Sequence, residues 1–381
     1  MDSFTSIAPG RLCLFGEHQD YLGLPVIALA IPLECRIEVQ VSREDNGRIL
    51  ELVVPQLGQT YCYDLDHLPP RQSNDTKTPD FALAAIHEAV QDGWKLCGAK
   101  CISTTTIPMQ AGCSSSSAFC VAWCQILSRL AGKSQKDPLQ LAQLAHRAEV
   151  VHFGHPGGTM DHVSSAIGGS CLRIGPGPWQ VESLPPLVPE QDGVWVLADS
   201  GEPKETISHL QRCKGDRLEI LELLGGHWDE TSTGVLNEDQ QDLLRATTTT
   251  CDTEREAAAL WRSLSLDSKQ EQSIGPKLGA LMDRHHGALR DGLGLSTARL
   301  EAMRLAAVEA GAWGFKLVGS GGGGCGVAWT PIYKADNVAQ SMSAVGAKSI
   351  WILATSSQGA RIEKGTGTEE STSLHQLTGG C

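Results

Sequence analysis

Near its C-terminal end the chain sets Gly319-Ser-Gly-Gly-Gly-Gly-Cys325 directly between two apolar stretches, Phe315–Val318 and Gly326–Trp329, that read as strands. Five of the six residues from Gly319 to Gly324 are glycine. Glycine loses more backbone freedom on folding than any other residue, so a run of it is costly. Flexible linkers seldom lie immediately between two buried strands. The run therefore predicts backbone held closely against a ligand or against another loop.

At roughly 150 residues per domain, a length of 381 predicts about two domains. Apolar residues make up 41% of the chain but aromatics only 5%, so the cores must rely on Leu, Val, Ile and Ala. The net charge is −13 and no basic stripe is visible, which argues against nucleic acid as a partner. Met1–Ser6 is too short and polar for a secretory signal, and no stretch approaches the roughly 20 apolar residues of a membrane span. A cytoplasmic protein with reduced thiols and no membrane association is expected. The 13 cysteines include two C-x3-C pairs, Cys97/Cys101 and Cys120/Cys124, with no further ligands at zinc-compatible spacing, so they read as thiols. Nothing in the sequence signals an oligomeric state.

Strands are predicted at Ile7–Phe15, Val26–Val41, Arg48–Val54, Gln59–Tyr63 and Lys100–Thr106. A helix is predicted over Phe81–Trp94 with Asp80 as N-cap, another over Ala118–Ala131, and a third from Asp137 to about His152. Val194–Ala198 opens a second half as a buried strand, followed by helices at Leu218–Leu224, Glu254–Leu264, Ile274–Arg290 and Thr297–Ala310. Ala347–Ala354 reads as a final strand. Mixed strands and helices in two halves predict an α+β protein. The boundaries expected are 1–190 and 191–361, with a polar, disordered tail over 362–381.

Two further segments carry chemistry. Pro108-Met-Gln-Ala-Gly-Cys-Ser-Ser-Ser-Ser117 runs into a helix, and its small side chains let backbone approach a bulky anion. The free N–H groups and positive dipole end of that helix would face the anion, and serine hydroxyls add donors or a magnesium ligand. It is not a Walker A loop, because Gly-Lys-Ser/Thr is missing. Taken alone it reads equally well as a helix cap with a serine run. Ala8-Pro-Gly-Arg-Leu-Cys-Leu-Phe-Gly-Glu-His-Gln-Asp-Tyr21 places Arg11 on a strand, then Glu17, His18 and Asp20 on one short loop. Carboxylates and imidazole together are able to hydrogen-bond several hydroxyls of one polyol.

In this order and separation, the three segments resemble the galactokinase, homoserine kinase, mevalonate kinase and phosphomevalonate kinase class (GHMP kinases), from Ile7 to about Arg361. Gly10–Tyr21 is most similar to the galactokinase signature, as is Leu281-Met-Asp-Arg-His-His-Gly-Ala-Leu-Arg-Asp291. The glycine run and Pro25–Leu33 look more like mevalonate kinase. Cys13, Phe15 and Cys113 depart from the galactokinase pattern, and Ser200–Thr206 lacks the tyrosine-bearing, arginine-rich stretch typical of galactokinases.

The resemblance implies a two-domain GHMP kinase fold. Its N-terminal domain would be like ribosomal protein S5 domain 2 and its C-terminal domain ferredoxin-like. It implies ATP bound by Gly112, Ser114, Ser115, Ser116, Ser117, Gly321, Gly322 and Gly323, with Mg²⁺ on Ser116 and Glu149. Asp161, in His155-Pro-Gly-Gly-Thr-Met-Asp161, is the implied catalytic base, and Arg11 the cation pairing it with the γ-phosphate. Glu17, His18, Asp20 and Gly158 are the implied sugar site. The activity implied is phosphoryl transfer from ATP to galactose or a related monosaccharide, at the anomeric hydroxyl. Arabinose, galacturonate, an N-acetylated hexosamine and mevalonate stay open as acceptors. An inactive sensor on the same fold is the contrasting reading, and the presence of Asp161, Glu149 and Ser116 argues against it.

Overall fold

The computed structural model describes residues 3–41, 47–73, 76, 78–133, 137–187, 193–204, 206–228, 230–264, 274–354 and 356–364. The chain opens with two long antiparallel strands, β1 (Ser3–Phe15) and β2 (Val26–Val41), both rich in β-branched and small apolar residues. The hairpin β3 (Ile49–Val54) and β4 (Gln59–Asp64) follows, then helix α1 (Phe81–Gln91) and β5 (Ala99–Thr105). Asp80 caps α1 as expected, accepting from the amide of Leu83. The first sheet runs β12 (Arg361–Lys364)-β1-β2-β5-β3-β4, with β3 and β5 parallel. Short strands β6 (Leu172–Ile174) and β7 (Val181–Ser183) extend it from β2.

Helices α2 (Ser115–Leu130) and α4 (Met160–Ile167) pack on this sheet, and α3 (Pro138–His146) packs on both of them. The expected start of α2 was Ala118, whereas the serines themselves form its first turn. The helix begun at Asp137 passes into a π-type turn over Arg147–Val151. Such turns are rare and occur often at functional sites. Helix α4 was not foreseen: Met160, Val163, Ala166 and Ile167 keep a helical spacing, but over only eight residues just after a glycine pair.

The second sheet is antiparallel, ordered β11 (Ser349–Leu353), β8 (Val194–Asp199), β10 (Cys325–Thr330), β9 (Gly314–Leu317). Helices α7 (Gly275–Gly287), α8 (Ala298–Glu309) and α9 (Ala335–Ala344) pack on it, while α6 (Glu238–Ser263) packs on α7 and on β1 and β2, and α5 (Thr206–Leu223) packs on α6. One apolar core extends from the first sheet and α2 to Trp195, Trp261, Leu278 and Trp329 of the second unit. The rings of Phe15 and Trp261 meet edge to face across that junction.

Residues expected in the second domain or the tail return instead to the first sheet. Ser357 donates its amide to Ala30, Ala360 to Ala166, and β12 (Arg361–Lys364) pairs antiparallel with Phe4–Ile7 of β1. With Ile362 the one apolar residue among four, the stretch gives no visible strand signal. The tail expected beyond Lys364 lies outside the described residues.

Candidate active site

A cavity of about 970 Å³ lies along the first sheet, bounded by the loop after β1, the segment leading into α2, and the start of α4. Register irregularities in the β1–β2 pairing fall between Pro9 and Arg11 and between Cys13 and Phe15. The first frees the Arg11 amide, which donates to the carbonyl of Cys113 at 3.1 Å. The strand thus joins the serine segment and aims Arg11 into the cavity. Its guanidinium donates to Asp161 Oδ1 (2.7 Å) and to the carbonyl of Gly112 (2.6 Å). Burial opposes the Arg11 charge, but the Asp161 carboxylate outweighs it and raises the pKa. Asp161 stands in the first turn of α4 with its side chain 28% exposed, facing the cavity.

Asp20 comes from the loop after β1 and sits against the start of α4. Its carboxylate accepts from the amides of Tyr21 (2.9 Å) and Met160 (3.2 Å). Burial raises its pKa, and the neighbouring Asp161 charge adds to the effect. Any side chain at position 158 would collide with the Asp20 carboxylate, so only glycine fits there.

The serine segment presents Gly112 and Ser114–Ser117 to the cavity. Ser114 adopts a left-handed backbone (φ 62°), and its buried hydroxyl has no partner among the described residues. No side chain caps α2, so its leading amides are open to a ligand. Glu149, on the π-type turn, lies 2.7 Å from His162 Nε2, with the Ser116 and Ser117 hydroxyls near enough to act on its charge. Burial pushes Glu149 up, but His162 and the two hydroxyls more than offset it, leaving its pKa lowered. A carboxylate beside a hydroxyl is an oxygen donor set that suits magnesium, so Ser116 and Glu149 fit that ion.

Three of the expected sites have other partners. Glu17 reaches the wall but is 1% exposed, ion-paired with Lys316 and 3.2 Å from His285. Lys316, fully buried, also donates to the carbonyls of Cys13 and Leu317. Burial would raise the Glu17 carboxyl, yet Lys316 and His285 hold it at about 2. His18, with φ 62°, has both ring nitrogens engaged, one by the Tyr21 hydroxyl and one by the carbonyl of Ser320. Gly321, Gly322 and Gly323 lie outside the cavity, against Leu295, His209 and Glu202 respectively; of the glycine run, only Gly319 and Ser320 line it. The run backs the serine segment instead: Cys325 donates its amide to Ala111 at 2.8 Å. It therefore meets another loop, one of the two roles its sequence allows.

Two site residues went unseen. His162 carries no sequence signal beyond its place after Asp161. Lys316 did carry one, as a lone charge inside the apolar strand Phe315–Val318. Cys97, Cys101, Cys120 and Cys124 are free thiols. No helix among the described residues is long and apolar enough to cross a membrane.

Family models match three parts of the chain: the galactokinase galactose-binding signature at residues 2–41, the GHMP kinases N terminal domain at 80–169, and the GHMP kinases C terminal region at 274–348. Mevalonate kinase of Thermococcus sibiricus is 31% identical over 364 residues, covering 93% of this chain and 97% of that protein. Galactokinase of Pyrococcus furiosus is 26% identical, covering 90% and 93%. Among solved structures, Lactococcus lactis galactokinase complexed with galactose superposes with a TM-score of 0.79 at 20% identity, covering 94% of this chain and 95% of that one. The chain belongs to the GHMP kinase family. Its fold and its kinase class, phosphotransferases acting on an alcohol, follow from that membership.

Proposed function

We propose that the protein is an ATP-dependent sugar kinase that phosphorylates galactose or a related neutral monosaccharide, at the anomeric hydroxyl. The observation that carries this reading is the charge of the acceptor wall. Asp20 and Asp161 face the cavity together, and Arg11 is the one lysine or arginine among the described lining residues. Arg11 is already engaged by Asp161. Hydroxyls suit two carboxylates, whereas an acceptor that is itself a carboxylate finds repulsion and no unengaged cation. The galactokinase signature over residues 2–41 supports the same acceptor class.

The nucleoside would occupy the apolar arm of the cavity, lined by Leu52, Val54, Tyr61, Met109 and Phe119. Its phosphates would lie on the open amides of α2. Ser116 and Glu149 would hold Mg²⁺, which when bound neutralises charge on the phosphates. Asp161 orients the acceptor hydroxyl and takes its proton as the oxygen bonds to the γ-phosphorus and the bond to the ADP oxygen breaks. Arg11 holds Asp161 in place and offsets charge on the transferring group.

Mevalonate is the second reading, favoured by the 31% identity to a mevalonate kinase. An ATP-consumption screen over aldoses, uronic acids and mevalonate, with NMR of the product, decides between them. A neutral sugar is expected to be the best acceptor. Asp20→Ala is expected to cost about 1–3 kcal/mol in its kcat/KM while the KM for ATP stays near wild type. Mevalonate as the better acceptor, or unchanged sugar kinetics in the variant, would refute the sugar reading.

A further inference from the structure

Helix α5 of the second unit lays one face against the loop that carries Asp20. Leu210 lines the cavity, Lys214 sits over the Tyr21 ring at 5.7 Å, and Arg217 is fully buried behind it. Spacings of four and three residues put all three on that face. Arg217 Nη2 donates to the carbonyl of His18 and to the hydroxyl of Tyr21, both at 2.6 Å, and Nε donates to Cys213 at 2.9 Å. Its Nη1 has no partner among the described residues.

Hydrogen-bond directions are fixed along this chain of contacts. A carbonyl only accepts, so the His18 ring donates from Nε2 to Ser320. Nδ1 then accepts from the Tyr21 hydroxyl, whose oxygen accepts from Arg217. His18 is also held in the left-handed backbone region, which non-glycine residues seldom adopt without restraint. Arg217 supplies that restraint on the carbonyl of the strained residue itself. Asp20 is only two residues further on, opening the short turn Asp20–Leu22.

We propose that Arg217 is the positioning residue of the acceptor site, holding the loop from Glu17 to Gly23 so that Asp20 faces the acceptor. It acts on the acceptor alone, because the serine segment is held by other contacts, from Arg11 and Cys325. The proposal rests on the sugar-kinase reading for the acceptor's identity, but the positioning applies to whichever alcohol the enzyme uses.

The test is Arg217→Met, with Arg217→Lys and Tyr21→Phe beside it. For the acceptor that wild type uses, KM is expected to rise at least tenfold in Arg217→Met, with the KM for ATP within twofold. Arg217→Lys is expected to recover part of the loss, and Tyr21→Phe to show a smaller loss that does not add to that of Arg217→Met. Hydrogen exchange on the whole protein gives a readout that needs no substrate. Amides of residues 16–24 are expected to exchange at least tenfold faster in Arg217→Met, with residues 112–130 unchanged. A folded Arg217→Met with wild-type acceptor KM, parallel rises in both KM values, or exchange that quickens everywhere or nowhere would overturn the proposal. If mevalonate were the acceptor and the split persisted, the sugar reading would fall and the role of Arg217 would stand.

Discussion

The loop after β1 and the serine segment meet the same cavity from two sides, and their polar groups are disposed in opposite ways. In the first, Glu17, His18 and Tyr21 are tied to Lys316, His285, Ser320 and Arg217, and Asp20 is the carboxylate left facing the cavity. In the second, Ser116 is exposed, the Ser114 hydroxyl has no partner among the described residues, and the leading amides of α2 have no side-chain cap. The protein itself engages most polar side chains of the first loop and leaves more of those in the second without a partner. Richness in polar side chains therefore does not identify a binding surface.

The sharpest way to break this contrast is Glu17→Gln. It leaves the buried Lys316 ammonium without its anion, so a loss of about 3–5 kcal/mol in unfolding free energy is expected. Urea denaturation measures it. A stable variant whose defect lay only in acceptor KM would return Glu17 to the substrate.

A smaller effect concerns His18. Burial and the Arg217 charge push its pKa down to about 3, against 6.5 ordinarily. Above pH 6.5 neither state binds the proton; between 6.5 and 3 only the unfolded state does. Stability therefore falls as pH falls through that window, by about 2 kcal/mol between pH 6.5 and 5 from this group. His18→Gln is expected to flatten the pH dependence of the urea midpoint by that amount. Equal slopes in the two proteins would mean that His18 is not locked in its neutral form.

The smallest effect belongs to the serine side. Ser116→Ala is expected to change unfolding free energy by no more than about 0.5 kcal/mol, because the side chain is exposed. The KM for Mg-ATP is expected to rise roughly tenfold, about 1.4 kcal/mol. Steady-state kinetics and thermal melts on one preparation check both, and a stability loss without a kinetic one would place Ser116 with the first loop.

Much of this was legible in the sequence. Long strands declared themselves by β-branched runs, and β2 matches its predicted bounds. Asp80 and Asp137 announced their helices because capping is a local interaction. Arg11, Asp161, Asp20 and Gly158, each visible as part of a motif, lie together at one cavity. What the sequence hid depends on partners far along the chain. Glu17 lies 299 residues from Lys316, and His18 lies 199 from Arg217, so no local pattern tells a substrate ligand from half of a buried pair. The glycine run was ambiguous for the same reason, since backbone packed against His209 and backbone packed against ATP need equally small residues.

The return of β12 to β1 makes the second unit an insertion within the first. Two covalent crossings, one before β8 and one after β11, join the units, so relative motion must bend the chain at both together. The first sheet also stays incomplete until residues 361–364 have been synthesised and have docked. Without them the outer edge of β1 offers a row of unpaired amides and carbonyls to any other strand. A four-residue strand bearing Arg361, Glu363 and Lys364 closes that edge and, being short and charged, makes a poor template in its turn.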